Sequence, residues 1–314
     1  MLRAKRCGLA LTDLVIGLAI LAMMLGLGIR WIGQNGSRSN RAKCVSNLSL
    51  IGKGILIYAN DNRGNYPRTP GGLGQTDLSF DGAASPDPFV EGAVPRNCLP
   101  ASYFLLVRED LSPSVFVCPE TDDTPDPLAG APANRRSNFS GPQHLSYSFA
   151  TPFPADPSTG YKLTSSMNPQ FAVAADKNSG DPALRGLSPA SPKEQMEKAN
   201  SRNHYGEGQN VLYADGHAEW WPNPLCGVNG DNIYTSGNTV LFGSPTSMND
   251  SVLLPVSNAP FRSGGLAGGT LLWVLIGVVL VGGIAALVFF LSRSKTPLAP
   301  VGPPAPPPLP PGVA

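Results

Sequence analysis

His204, Asp215, His217 and Glu219 gather two imidazoles and two carboxylates into one stretch of the chain. Such groups are good ligands for divalent metals. His217 and Glu219 are two residues apart, so on a strand they share a face. Asp215 precedes Gly216, and turn geometry alone explains an Asp there. No second ligand pair stands at a convincing spacing. The expectation is therefore no metal, with Asp215, His217 and Glu219 as the weak alternative. Asp176, before Lys177-Asn-Ser-Gly180, reads as a turn residue rather than a ligand.

Cysteine is the other reactive side chain. Cys44, Cys98, Cys118 and Cys226 lie in the polar middle of the chain. Four cysteines permit three pairings. Cys98–Cys118 closes a modest loop and is the preferred bridge; such bridges contribute about 2–4 kcal/mol. Four buried free thiols are the other reading. No CxxC pair is present, so metal binding through cysteine is not expected. His144, His204 and His217 sit in no catalytic frame. There is no GxSxG, no HExxH and no phosphate loop. A nucleophile needs a base within reach, so no catalytic residue is assigned and the chain is read as non-enzymatic.

Two apolar segments flank this middle. The first runs from Leu9 to about Ile32, interrupted only by Thr12 and Asp13. The second runs from Leu266 to Leu291 and carries no charge. At about 1.5 Å per residue each is long enough for a membrane core of about 30 Å. Arg3, Lys5 and Arg6 precede the first, while Arg293 and Lys295 follow the second. Cytoplasmic flanks favour Lys and Arg, so both termini are expected in the cytoplasm and the middle outside it. Arg30, Arg38, Arg41 and Lys43 weaken the bias of the first segment. Net charge is +1 and charged residues make up only 14% of the chain. Nothing there suggests a nucleic-acid partner.

Between the segments the pattern is α+β. Val45, Leu48, Ile51, Ile55 and Tyr58 keep close to a 3.6-residue period, so the first helix is expected to continue amphipathically to Asn60. Asp61-Asn-Arg-Gly64 supplies a stop. Gly33, Gly36, Gly52 and Gly54 are candidate breaks within it. Residues 68–100 and 121–143 read as loops, and Ala101–Glu109 as a short helix. Val115–Cys118, Leu145–Ala150 and Phe171–Ala175 read as strands, and Lys193–Ala199 as a helical turn or two. Asn210–Ala214 and His217–Trp221, linked by Asp215-Gly216, give a strong hairpin signal, expected as a type I′ turn. Val240–Gly243 and Val252–Val256 are candidate edge strands. From Val301 the chain is mostly Pro and is expected to be extended.

Three stretches together resemble one family. The basic leader Met1–Gly8 is followed at once by an apolar helix starting at Leu9. Cys44-Val-Ser-Asn47-Leu leads through Ile51-Gly52 to Tyr58-Ala-Asn-Asp61, Gly64 and Pro67. His204 is followed by Asn210-Val-Leu-Tyr-Ala-Asp215-Gly216-His217. The set is similar to pseudopilin-like proteins with a prepilin-type N-terminus and an H-x9-DG region, a planctomycete-type family. Val117-Cys118-Pro119 and Tyr147 fit as well. The likeness covers roughly residues 1–222. The chain departs from the pattern in having Asp13 where pilins have Glu, Leu9 where they have Phe, and ten residues between His204 and Asp215. It also extends well past the hairpin.

The resemblance implies a prepilin peptidase cutting between Gly8 and Leu9, with Cys7 leaving in the leader. It implies Asp13 as an assembly acid that neutralises a neighbour's N-terminal amine. It implies His204, Asp215 and Gly216 as family-motif residues, no cofactor, and calcium at Asp215 as the weak alternative. The expected order is leader 1–8, transmembrane and amphipathic helix 9–62, extracytoplasmic α+β domain 63–260, transmembrane helix 264–292 and Pro-rich cytoplasmic tail 293–314. The expected function is a structural or accessory part of a type II secretion or type IV pilus-like system in the bacterial inner membrane. Its partners would be the membrane, the prepilin peptidase and other pseudopilin or secretion subunits. The alternative is a permanently anchored two-helix scaffold or binding module whose Pro-rich tail recruits a partner.

Overall fold

The computed structural model describes residues 11–255; over residues 11–37 it describes the backbone and few of the side chains. The leader positions Gly8 and Leu9, the second apolar segment and the Pro-rich tail lie outside the described residues. Asp13 lies in a helix, with its side chain outside them. No helix among the described residues is long and apolar enough to cross a membrane.

Helix α1 runs unbroken over Leu11–Asp61. In its C-terminal part Cys44, Leu48, Ile51, Ile55 and Ala59 are all buried. Their three- and four-residue spacing draws one apolar stripe. Val45 and Tyr58 sit half-buried at its margin, while Ile57, on the opposite face, is 64% exposed. The helix ends where Gly64, at φ +80°, donates its N–H back to the Ala59 carbonyl at 2.7 Å. Only Gly takes that left-handed backbone without strain. Gly52 does not break the helix. A Cβ there would stand 2.8 Å from Leu212 Cδ1, so its role is close approach to the sheet.

That sheet has five strands in the order β4-β3-β2-β1-β5. They are β1 Tyr147–Ala150, β2 Ala172–Asp176, β3 Gln209–Tyr213, β4 Ala218–Trp221 and β5 Leu253–Leu254. All pairings are antiparallel, with Tyr147 opposite Asp176 and Gln209 opposite Trp221. β1, β2 and β3 are buried along their whole length. Tyr103 of helix α2 (Leu99–Arg108) stacks on Phe149 at 4.1 Å between ring centroids. Helix α3 spans Lys193–Ala199. The α+β class with a small antiparallel sheet is therefore the architecture of the described residues.

Three local expectations need correction. Residues 115–118 are not a strand: Pro113–Phe116 forms a 3-10 turn, with Pro113 at its start and the Ser112 hydroxyl accepting the Ser114 N–H at 3.4 Å. The hairpin link is a three-residue loop, Ala214-Asp215-Gly216. Tyr213 pairs with His217, and Gly216 donates to the Tyr213 carbonyl at 2.9 Å. Only Gly216, at φ +89°, is left-handed there. That geometry is a type I turn followed by a left-handed glycine, not the type I′ turn that two positive φ values would require. Val240 makes only an isolated bridge to Ser236.

Asp231 supplies a pH dependence. Its carboxylate accepts the Ser251 N–H at 2.8 Å. Burial pushes its pKa up to about 7, the Ser251 bond opposes this, and nearby Asp250 adds to it. In the unfolded chain an Asp titrates near about 3.9. Between those values the native state binds the extra proton, so stability falls as pH rises from about 4 to about 7 and then levels off. Asp231→Asn removes this slope and stabilises the protein at pH 8 by on the order of 2–4 kcal/mol. Urea unfolding of both forms across that range checks it, and parallel pH profiles would refute the assignment.

Candidate functional site

The strongest concentration of chemistry is inside the core, where four elements meet. β2 ends on Asp176, directly beside the start of β3. Asp176 is fully buried. Its Oδ2 accepts the Asn210 backbone N–H at 2.6 Å and the Asn210 side-chain amide at 2.8 Å. Its Oδ1 accepts the Asn203 amide at 3.2 Å. A buried carboxylate needs such donors, because an unpaired one is costly. Asp176 is therefore the hub of a core network, not the turn residue the sequence suggested.

His204 closes the short 3-10 turn before β3 and is also fully buried. Its Nε2 lies 3.3 Å from Asp176 Oδ2, 3.1 Å from the Asn210 amide nitrogen and 3.7 Å from Cys118 Sγ. Burial alone would depress the imidazolium. The charge and hydrogen bond of Asp176, with help from Cys44, outweigh it and raise its pKa to about 10. Its ring edge meets Trp220 at 5.4 Å between centroids. The Arg41 guanidinium lies 4.1 Å over the same Trp220 ring, a cation–π contact, and pairs with Glu207. Arg41 thus fixes α1 against the strand that backs His204.

Cys44 comes from the buried stripe of α1, and Cys118 from the loop after the 3-10 turn. Asn47, one turn along α1, donates to the Val117 carbonyl at 3.0 Å and ties that loop to the helix. The ligand atoms of Cys44, Cys118, Asp176 and His204 all lie within 4.8 Å of one another. A hydrogen bond from Cys118 holds the Cys44 thiol down at about 7, against the effect of burial. Burial and that same bond push Cys118 up. Cys44 is thus the thiol of the pair nearer to thiolate.

The expected Cys98–Cys118 bridge is not formed, and the four cysteines of this region are buried free thiols. Cys98 belongs to a different cluster. Its thiol donates to the Ser79 carbonyl at 3.4 Å and receives the Asn138 amide at 3.5 Å. Burial pushes its pKa up to about 12. Loop length favoured the pairing, but the intervening α2 and 3-10 turn carry the two sulphurs to separate places.

Asp215, His217 and Glu219 line up on the exposed edge of the hairpin. His217 Nδ1 contacts Asp215, and its Nε2 lies 3.8 Å from Glu219 Oε1. Each side chain is roughly half exposed, and the His217 ring stacks on Tyr213 at 4.5 Å. Glu219 also accepts the Trp221 indole N–H at 2.9 Å. Among the described residues the set whose ligand atoms converge as a metal site would require is the buried one, not this row. The motif residues therefore separate: His204 enters the core, while Asp215 and Gly216 shape the turn at the far end of β3.

Sequence reasoning missed Cys44, Cys118 and Asp176 as partners of His204. One signal was available: Cys44 falls on the same helical stripe as Leu48 and Ile51. No family model, no curated protein and no solved structure matches the chain.

Proposed function

We propose that this is a non-enzymatic, prepilin-like protein of the bacterial inner membrane, a structural or accessory part of a pilus-like or type II secretion system. One observation supports this most: a single helix of 51 residues whose last turns form a wall of an α+β head. In that design the N-terminal half of the helix makes the assembly contacts and the other half carries the head. A prepilin peptidase cuts after Gly8, Leu9 begins the mature chain and Asp13 is the acid that meets a neighbour's amine. Residues 63–260 then face outward and both termini face the cytoplasm.

A second reading rests on the uncharged run Leu266–Leu291. A filament subunit leaves the bilayer when it polymerises. Extracting a second span would expose roughly twenty apolar side chains at about 1.5–3 kcal/mol each. That favours a permanently anchored two-helix scaffold with a cytoplasmic Pro-rich tail.

N-terminal sequencing of the mature protein tests the prepilin start: Leu9, methylated on its amine, is expected, and an intact Met1 would overturn it. Shearing then separates the two roles. A filament subunit appears in the sheared surface fraction, whereas a scaffold stays wholly with membranes.

A further inference from the structure

We propose that Cys44, Cys118, Asp176 and His204 bind one Zn²⁺ ion, which fastens helix α1 to the sheet of the head. This does not depend on whether α1 enters a membrane.

Four side chains from four separate elements bring two sulphurs, one imidazole nitrogen and one carboxylate oxygen within 4.8 Å of one another. All four residues are fully buried. Zinc is held by four ligands at about 2.0–2.3 Å in a tetrahedron, which sets ligand atoms roughly 3.3–3.8 Å apart; His204 Nε2 stands 3.3 Å from Asp176 Oδ2 and 3.7 Å from Cys118 Sγ. The donor set also selects the ion. Thiolates with imidazole and carboxylate suit zinc, whereas calcium and magnesium require oxygen ligands. Four protein ligands leave no open position, which is the mark of a structural rather than a catalytic zinc.

The outer support is on the carboxylate, while His204 Nδ1 is buried without a hydrogen-bond partner. Asn210 and Asn203 orient the Asp176 carboxylate through three hydrogen bonds, the kind of outer support that fixes a ligand's direction. His204 turns Nε2 toward the other three ligands. Binding is balanced as follows: each thiol loses its proton to solvent, any proton on His204 Nε2 leaves likewise, and two Zn–S bonds, one Zn–N bond and one Zn–O bond form. No electron is transferred. Cys44 sits on the α1 stripe and the other three ligands on the head, so the ion is a staple between them.

The same two sulphurs would also be the pair to form a disulfide, and the experiment separates the outcomes. The full chain is purified without chelator, and its metal content is measured beside thiol titration and peptide mapping without reduction. About one zinc per chain is expected, with Cys44 and Cys118 unbridged. Cobalt substitution is expected to give the intense visible bands of a tetrahedral site and a near-ultraviolet thiolate-to-cobalt band. Cys44→Ser and His204→Ala are expected to abolish stoichiometric zinc, whereas Cys98→Ser keeps it. Asn210→Ala is expected to weaken zinc by about 10–100-fold. Because ligand variants risk misfolding, the cobalt spectrum of the unaltered chain decides independently. The proposal is overturned by a Cys44–Cys118 disulfide. It is equally overturned by a reduced chain that takes up no zinc or cobalt, or by equal zinc loss in Cys98→Ser.

Discussion

Asn178→Ala lowers the free energy of unfolding by at least about 3 kcal/mol, from roughly 1–3 kcal/mol for each buried polar group left without its partner. Asn178 is fully buried just beyond β2. Its amide donates to the Tyr234 and Leu253 carbonyls, both at 3.0 Å. Its Oδ1 accepts the Gly180 N–H at 2.9 Å. One side chain therefore joins β2, the segment around Tyr234 and edge strand β5. Alanine removes the partner of two carbonyls and one N–H at once. Denaturant unfolding followed by tryptophan fluorescence measures the loss. A change under about 1 kcal/mol would mean that solvent reaches these groups and that β5 is not sealed against the core.

Ile51→Ala is expected to cost about 2–5 kcal/mol, and Ile57→Ala, on the same helix, less than about 0.5 kcal/mol. Ile51 is fully buried on the stripe that faces the sheet, whereas Ile57 is 64% exposed. Helix propensity is the same at both positions, and alanine slightly favours helix in each. The difference therefore isolates packing of α1 on the head from the stability of the helix itself. Equal small effects would mean that α1 is a separate rod that merely precedes the head.

The sequence announced what local pattern can announce. The stripe from Leu48 to Ile55 declared the helix, Gly64 its end, and Asn210–Trp221 the hairpin. Lys193–Ala199 and the short helix after Cys98 were legible for the same reason: neighbours in sequence decide them. The turn type was misread because Asp-Gly serves both a two-residue I′ link and a three-residue loop. Only the register of Tyr213 against His217 separates the two. Residues 115–118 look like a strand by composition, yet Ser112 and Pro113 start a 3-10 turn first.

The buried cluster was hidden for a different reason. Cys44, Cys118, Asp176 and His204 are far apart in the chain, and none forms a close-spaced ligand pair with another. Spacing rules find metal sites built on one hairpin or one helix; they do not find a site assembled when a helix closes on a sheet. The same rules drew attention to Asp215, His217 and Glu219, which are close in sequence and meet on an exposed edge. Burial decides between the two sets, and burial is a property of the tertiary fold.

The central claim is that the distal part of α1 is a structural member of the head. Hydrogen exchange of the full chain, read by mass spectrometry, tests it most directly. Amides of residues 48–59 are expected to exchange with those of β2 and β3, in the slowest class, because one cooperative unit opens together. If those helix amides exchange much faster while the strands stay protected, the helix is not part of that core and the account is wrong.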